Sequence, residues 1–99
     1  MKTWQEIKAG DTIYYIDHCE VHAQTVHSVE IIEKQQSYNT YLDPSVKTFN
    51  KNIVIKAGKS CIKILFRWYS DKTSVRWNGM PRFSCKEAVI NYINDDWIC

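Results

Sequence analysis

The 99-residue chain has little of what marks irregular, secreted or membrane proteins. It holds three glycines and two prolines, and no apolar segment near Met1 resembles a secretion signal. No apolar run approaches the roughly eighteen residues needed to cross a membrane. Gly-rich phosphate loops and nucleophile motifs such as Gly-x-Ser-x-Gly are also absent. We therefore expect a cytoplasmic protein with no membrane span, no cofactor and no catalytic centre.

The four cysteines, Cys19, Cys61, Cys85 and Cys99, are even in number and could form two disulfides. Disulfides persist in oxidising compartments, and nothing in the sequence directs the chain to one. We therefore expect reduced thiols.

The composition is that of a folded globular domain. Hydrophobic residues make up 44% of the chain, aromatic residues 13% and charged residues 24%, which favours one domain over residues 1–99. Some of the many Trp and Tyr side chains could serve a protein interface, including a homodimer, instead of the core. The candidates are Trp4, Tyr14, Tyr38, Tyr41 and Trp97.

The chain shows strand patterns and two helix-start patterns. Thr3 and Glu6 have the spacing of a capping box, which predicts a helical turn before Gly10. Ser84 and Glu87 repeat that spacing, and the apolar periodicity behind them predicts an amphipathic helix from Ser84 to about Trp97. Period-two patterns and β-branched residues predict strands at 12–17, 21–34, 52–56, 61–70 and 74–77. The polar stretch 35–51 reads as a long loop or short edge strands.

Two strands alternate clearly enough to predict which side chains face the core. In strand 21–34 the predicted core face carries Val21, Ala23, Thr25, Val29 and Ile31. In strand 61–70 it carries Ile62, Ile64, Phe66 and Trp68, and the opposite face carries Lys63, Arg67 and Tyr69.

These elements predict an α+β fold that is mainly β: a small antiparallel barrel or bent sheet of five or six strands, with an N-terminal helical turn and one C-terminal helix. The segment Trp4–Tyr14 places a helical turn, a Gly-Asp turn and an aromatic strand in succession. It resembles the start of small SH3-like β-barrel proteins of bacteria and phages. The resemblance covers about a ninth of the chain and implies a binding module, with no particular ligand or site residue.

Charge is the clearest asymmetry of the sequence. Residues 56–86 carry a net charge of +7 and the rest of the chain −5. Aromatic residues lie among the cations, and that combination is typical of surfaces that bind single-stranded nucleic acid. The same positive field would attract an acidic protein surface. The predicted binding surface consists of Lys63, Arg67, Tyr69, Arg76 and Arg82.

The segment 17–22 and His27 contain the only cluster of potential metal ligands or nucleophiles. His18 and His22 on one strand would lie about 13 Å apart, too far to share a metal. A Cys19 nucleophile with His22 as base would lack an oxyanion hole. We therefore expect no metal site and no enzyme. The predicted function is non-catalytic binding by a protein-interaction, accessory or inhibitor module, with nucleic-acid binding through strands 61–77 as the alternative.

Overall fold

The computed structural model describes residues 1–36 and 48–95. The chain begins with a 3-10 turn at Trp4–Glu6, and a short helix, α1, lies at Phe66–Tyr69. The C-terminal helix, α2, spans Lys86–Asp95. The strands are β1 Thr12–Asp17, β2 Glu20–Gln36, β3 Thr48–Ala57, β4 Ser60–Leu65, β5 Ser74–Trp77 and β6 Met80–Phe83.

The six strands form one antiparallel sheet in the order β4-β3-β2-β1-β6-β5, curled into a nearly closed barrel. Strand β2 is 17 residues long and pairs with β1 through its first part and with β3 through the rest. The register shifts between Val26 and Ser28, where β2 passes from one partner to the other. Such a bulge bends a strand and lets one sheet curl around its own core. The predicted mainly-β barrel with two terminal helical elements is therefore confirmed.

The barrel interior is a cluster of aliphatic side chains around one tryptophan. Trp4 is fully buried, although its sequence position made it a candidate interface residue. The other buried members are Ile7, Ile13, Val26, Ile53, Ile55, Ala57, Ile62 and Ile64. Large side chains compensate for the few core positions that so small a domain offers.

The N-terminal turn closes the barrel beside β5. The backbone N–H groups of Trp4 and Gln5 donate to the carbonyls of Lys72 and Ser70, each at 3.0 Å. The carboxylate of Glu6 accepts hydrogen bonds from the backbone N–H of Thr3 at 3.2 Å and from its hydroxyl at 2.8 Å. The predicted helical turn and the pairing of its two end residues are confirmed.

Helix α2 packs on the outer face of β1 and β6. A second apolar cluster lies there, formed by Ile16, Phe83, Ala88 and Val89. The helix begins at Lys86, two residues later than predicted, because Ser84 is buried and its hydroxyl donates to the carbonyl of Lys2 at 2.6 Å. Residues 96 and 97 of the predicted helix lie outside the described part of the chain.

The predicted core face of strand 61–70 is confirmed at Ile62 and Ile64 but fails at its end, and the predicted core face of strand 21–34 fails in its first part. Strand 61–70 ends at Leu65, and Trp68, expected in the core, is 60% exposed on α1. Along the first part of β2 the predicted core residues Val21, Ala23 and Thr25 are exposed. The inward positions belong to Val26 and, before it, to the more polar His22 and Gln24.

Cys19 is disulfide-bonded, so the expectation of reduced thiols is wrong for that residue. Cys61 and Cys85 are free. Among the helices that the structure describes, none has the length and apolar character needed to cross a membrane.

Candidate binding surfaces

The structure divides the five predicted binding residues among three places. Lys63 and Arg67 are exposed around α1 and β4. Tyr69 and Arg76 line a cleft next to α2. Arg82 is 3% exposed, so it does not belong to an accessible surface. The sequence could not show that the five residues fall in three separate places.

The cleft lies between α2 and the outer face of the β5–β6 hairpin, and we call it the α2–β5 cleft. It has a volume of about 270 Å³ and is lined by Tyr69, Ser74, Val75, Arg76, Pro81, Phe83 and Tyr92. Its floor is apolar, with the rings of Phe83 and Tyr92 tilted at 5.2 Å. Arg76 is exposed at its rim and donates through Nη1 to the carbonyl of Gly79 at 3.0 Å. No described carboxylate pairs with Arg76.

The outer edge of β5 borders this cleft. The backbone N–H of Ser84 donates to the carbonyl of Thr73 at 2.9 Å, which fixes the alternation along the ladder: Val75 and Trp77 bond to β6. The N–H and C=O groups of Ser74 and Arg76 therefore point away from β6. Strand β5 is the last strand in the sheet order, so no described strand pairs with this edge.

A second exposed region surrounds α1, and we call it the α1 surface. It consists of Lys63, Leu65, Arg67 and Trp68. Helix α1 packs against β3 and β4, and the ammonium of Lys51 lies 4.1 Å from the ring centre of Phe66. Lys63 and Leu65 alternate on the outer face of β4 with buried Ile62 and Ile64.

The cations of the α1 surface are not neutralised within the described part of the chain. Lys63 and Arg67 make no ion pair there. By register, Glu30 is the acidic residue in the same cross-strand row as Lys63, two strands away. Asp71 follows α1, but its carboxylate lies 4.0 Å from Lys72. The α1 surface thus combines net positive charge with an exposed indole.

The third place is the barrel interior, where one row of side chains crosses three strands. Arg82 on β6 faces Tyr15 on β1, and Tyr15 faces His22 on β2. The guanidinium carbon of Arg82 lies 5.3 Å from the Tyr15 ring centre, and the rings of Tyr15 and His22 stack at 4.9 Å. Burial lowers the pKa of Arg82, while the negative form of Tyr15 acts in the opposite direction. The Nε and Nη1 atoms of Arg82 are buried without a hydrogen-bond partner.

The histidine–cysteine segment is arranged as a hairpin turn. His18 and Cys19 occupy the turn between β1 and β2 with φ of 49° and 65°. His18 Nδ1 lies 2.9 Å from the Asp17 carboxylate, and His22 Nε2 lies 3.7 Å from that of Glu20. Across residues 1–36 and 48–95, no group of three His, Cys, Asp or Glu side chains could hold a metal ion.

The fold and its surfaces define a small antiparallel β-barrel with an external helix and two accessible candidate binding regions. No protein-family model, curated protein or solved structure matches this chain.

Proposed function

We propose that the protein is a non-catalytic binding module that holds an extended segment of a partner protein in the α2–β5 cleft. The observation that carries this proposal is the open edge of β5 beside an apolar cleft with an unpaired arginine at its rim. An added strand would bond to the backbone of Ser74 and Arg76. Its alternate side chains would enter the cleft.

The cleft chemistry specifies the class of segment. Tyr69, Phe83 and Tyr92 offer aromatic surface to an aliphatic or aromatic side chain, and aromatic residues are favoured anchors at protein interfaces. Arg76 offers a guanidinium to a carboxylate in a region whose net charge is positive. The expected ligand is therefore a short extended peptide that alternates apolar residues with Asp or Glu.

The experiment is panning of a random-peptide library against the purified domain, followed by calorimetry on the enriched peptides. The expected sequences contain an acidic residue two positions from an apolar one. Arg76→Ala should weaken the best peptide by about tenfold or more, the loss of one charge-assisted hydrogen bond. Lys86→Ala, an exposed cation at the start of α2 that does not line the cleft, is the matched control and should leave affinity unchanged.

The edge itself is tested by Ser74→Pro, which removes an outward N–H and leaves the bonds to β6 in place. Circular dichroism checks that the variant folds. Loss of peptide binding by a folded Ser74→Pro domain supports strand addition. Enriched peptides that bind Arg76→Ala and Ser74→Pro as tightly as the wild type would refute the proposal.

A further inference from the structure

Trp68 is the most exposed tryptophan that the structure describes. Its side chain is 60% exposed, whereas Trp4 is fully buried and Trp77 packs against the barrel core. The sequence pattern predicted that Trp68 faces the core, but strand β4 ends at Leu65, three residues before it. Burial of an indole stabilises a fold because its apolar surface is large, so the exposure of Trp68 requires an explanation other than folding stability.

The surroundings of Trp68 favour one kind of ligand. Arg67 is its neighbour on α1, and Lys63 lies on the outer face of β4, the strand that leads into α1. Neither cation pairs with a described carboxylate. Phosphates are attracted by unpaired cations, and the face of an indole stacks on a nucleobase.

We propose that the α1 surface binds single-stranded nucleic acid, with Trp68 stacking on a base and Arg67 and Lys63 contacting flanking phosphates. The α1 surface is exposed and consists of only a few residues, so it cannot enclose a base and read its edges. We therefore expect binding that is independent of sequence and that is weak for duplexes, whose bases are already stacked. This site is separate from the α2–β5 cleft, and the proposal does not depend on the peptide-binding function.

The probe is an oligothymidylate of about twenty nucleotides, long enough to cover one small binding site. The anisotropy of the fluorescently labelled oligonucleotide should rise on titration at about 50 mM salt, and the affinity should fall steeply towards about 150 mM. Trp68→Ala should lower affinity at least about fivefold, and Trp68→Phe should retain part of it because a smaller ring still stacks. Trp77→Phe is the matched aromatic control and should bind like the wild type.

The charge contribution is measured separately. Arg67→Ala should reduce the slope of log affinity against log salt by about one, the loss of one phosphate contact. Lys86→Ala on α2 and Arg76→Ala in the cleft should not change that slope.

Two results would overturn the proposal. One is absence of any binding at low salt, which would leave Trp68 as a contact for a protein. The other is binding that Trp68→Ala leaves unchanged and that polyglutamate competes for equally, which would show unspecific attraction of polyanions. Either result leaves the peptide panning unaffected, so the two proposals fail independently.

Discussion

The guanidinium of Arg82 lies 5.3 Å from the ring centre of Tyr15 inside the barrel, and Arg82 is the only charged residue among the buried described residues. Two of its nitrogens have no hydrogen-bond partner. A contact with an aromatic face offsets only part of the cost of removing a cation from water. Position 82 is therefore a site where the fold buries a charge that is only partly compensated.

Replacing this arginine with a neutral side chain of similar length should stabilise the barrel. Arg82→Met keeps the aliphatic packing and removes the unpaired charge, so we expect the free energy of unfolding to rise by about 1–3 kcal/mol. Urea unfolding measures the change. Arg76→Met, at an exposed cation on the adjacent strand, should stay within about 0.5 kcal/mol of the wild type. A loss of stability in Arg82→Met would show that the charge is satisfied inside the barrel.

Trp4 allows two contributions to stability to be compared at one position: the packing of its buried ring, and the cost of burying its indole N–H without a hydrogen bond. The side chain is fully buried and its Nε1 has no hydrogen-bond partner. Trp4→Ala should cost about 3–5 kcal/mol through lost contacts and a cavity. Trp4→Phe fills most of the space and removes the unpaired N–H, so we expect it to cost under about 1.5 kcal/mol. Equal losses in the two variants would mean that the indole N–H is bonded and contributes to stability.

The sequence predicted the bounds of two strands that contain β-branched and aromatic residues. Thr12–Asp17 and Ser74–Trp77 were predicted with the bounds that the structure shows. Strand β6 was missed because its sequence, Met-Pro-Arg-Phe, contains a proline and an arginine. Pro81 is tolerated because it pairs with Arg76 at a position where the ladder needs no N–H from it. Arg82 is tolerated through its contact with Tyr15.

The error on the face of β2 arises because the barrel interior is more polar at one end than a simple alternation assumes. His22 and Gln24 face inward there, beside Tyr15 and Ile13, while Val21 is 41% exposed. Hydrophobicity alone therefore assigned the first part of β2 to the wrong face. The cations of the binding surfaces were identifiable from the sequence. Their separation into cleft, α1 surface and interior depended on the turn at Phe66 and on the position of α2, neither of which the pattern specifies.

Asp11 should contribute stability that depends on pH. The backbone N–H of Lys8 at 2.9 Å, and then the ammonium of Lys2 at 3.0 Å, hold the pKa of Asp11 below its ordinary value of 3.8. A lowered folded-state pKa stabilises the fold fully above the unfolded value and is lost as pH falls through the folded one. The melting temperature of Asp11→Asn should therefore lie below that of the wild type at neutral pH, with the gap closing from about pH 4 downwards.

Glu6 also titrates in this range, because its hydrogen bonds with Thr3 lower its pKa too. Both proteins retain Glu6, so its effect cancels in the difference between their melting curves. A gap that persists unchanged to about pH 2 would show that Asp11 stabilises the turn through its shape and not through its charge.

The turn that joins β5 and β6 links the stability of the hairpin to the geometry of the cleft. Asn78 and Gly79 both have positive φ, of 52° and 75°, as a two-residue hairpin turn requires. A Cβ at Gly79 would meet no atom within 4 Å, so Gly79→Ala tests backbone strain alone. We expect it to cost about 1–2 kcal/mol, measured by urea unfolding.

The same substitution should affect peptide binding more than its stability cost suggests. The carbonyl of Gly79 accepts the hydrogen bond from Arg76 Nη1, so a shift of the turn moves the guanidinium at the rim of the cleft. We expect the best panned peptide to bind Gly79→Ala about threefold to tenfold more weakly at a temperature where the variant is fully folded. Gly10→Ala, strained by a φ of 93° in a turn before β1, is the matched control and should lose stability without losing peptide affinity. Equal affinity of the wild type and Gly79→Ala would show that the turn does not position the Arg76 guanidinium for binding. The geometry of the cleft would then be set by β5 and α2.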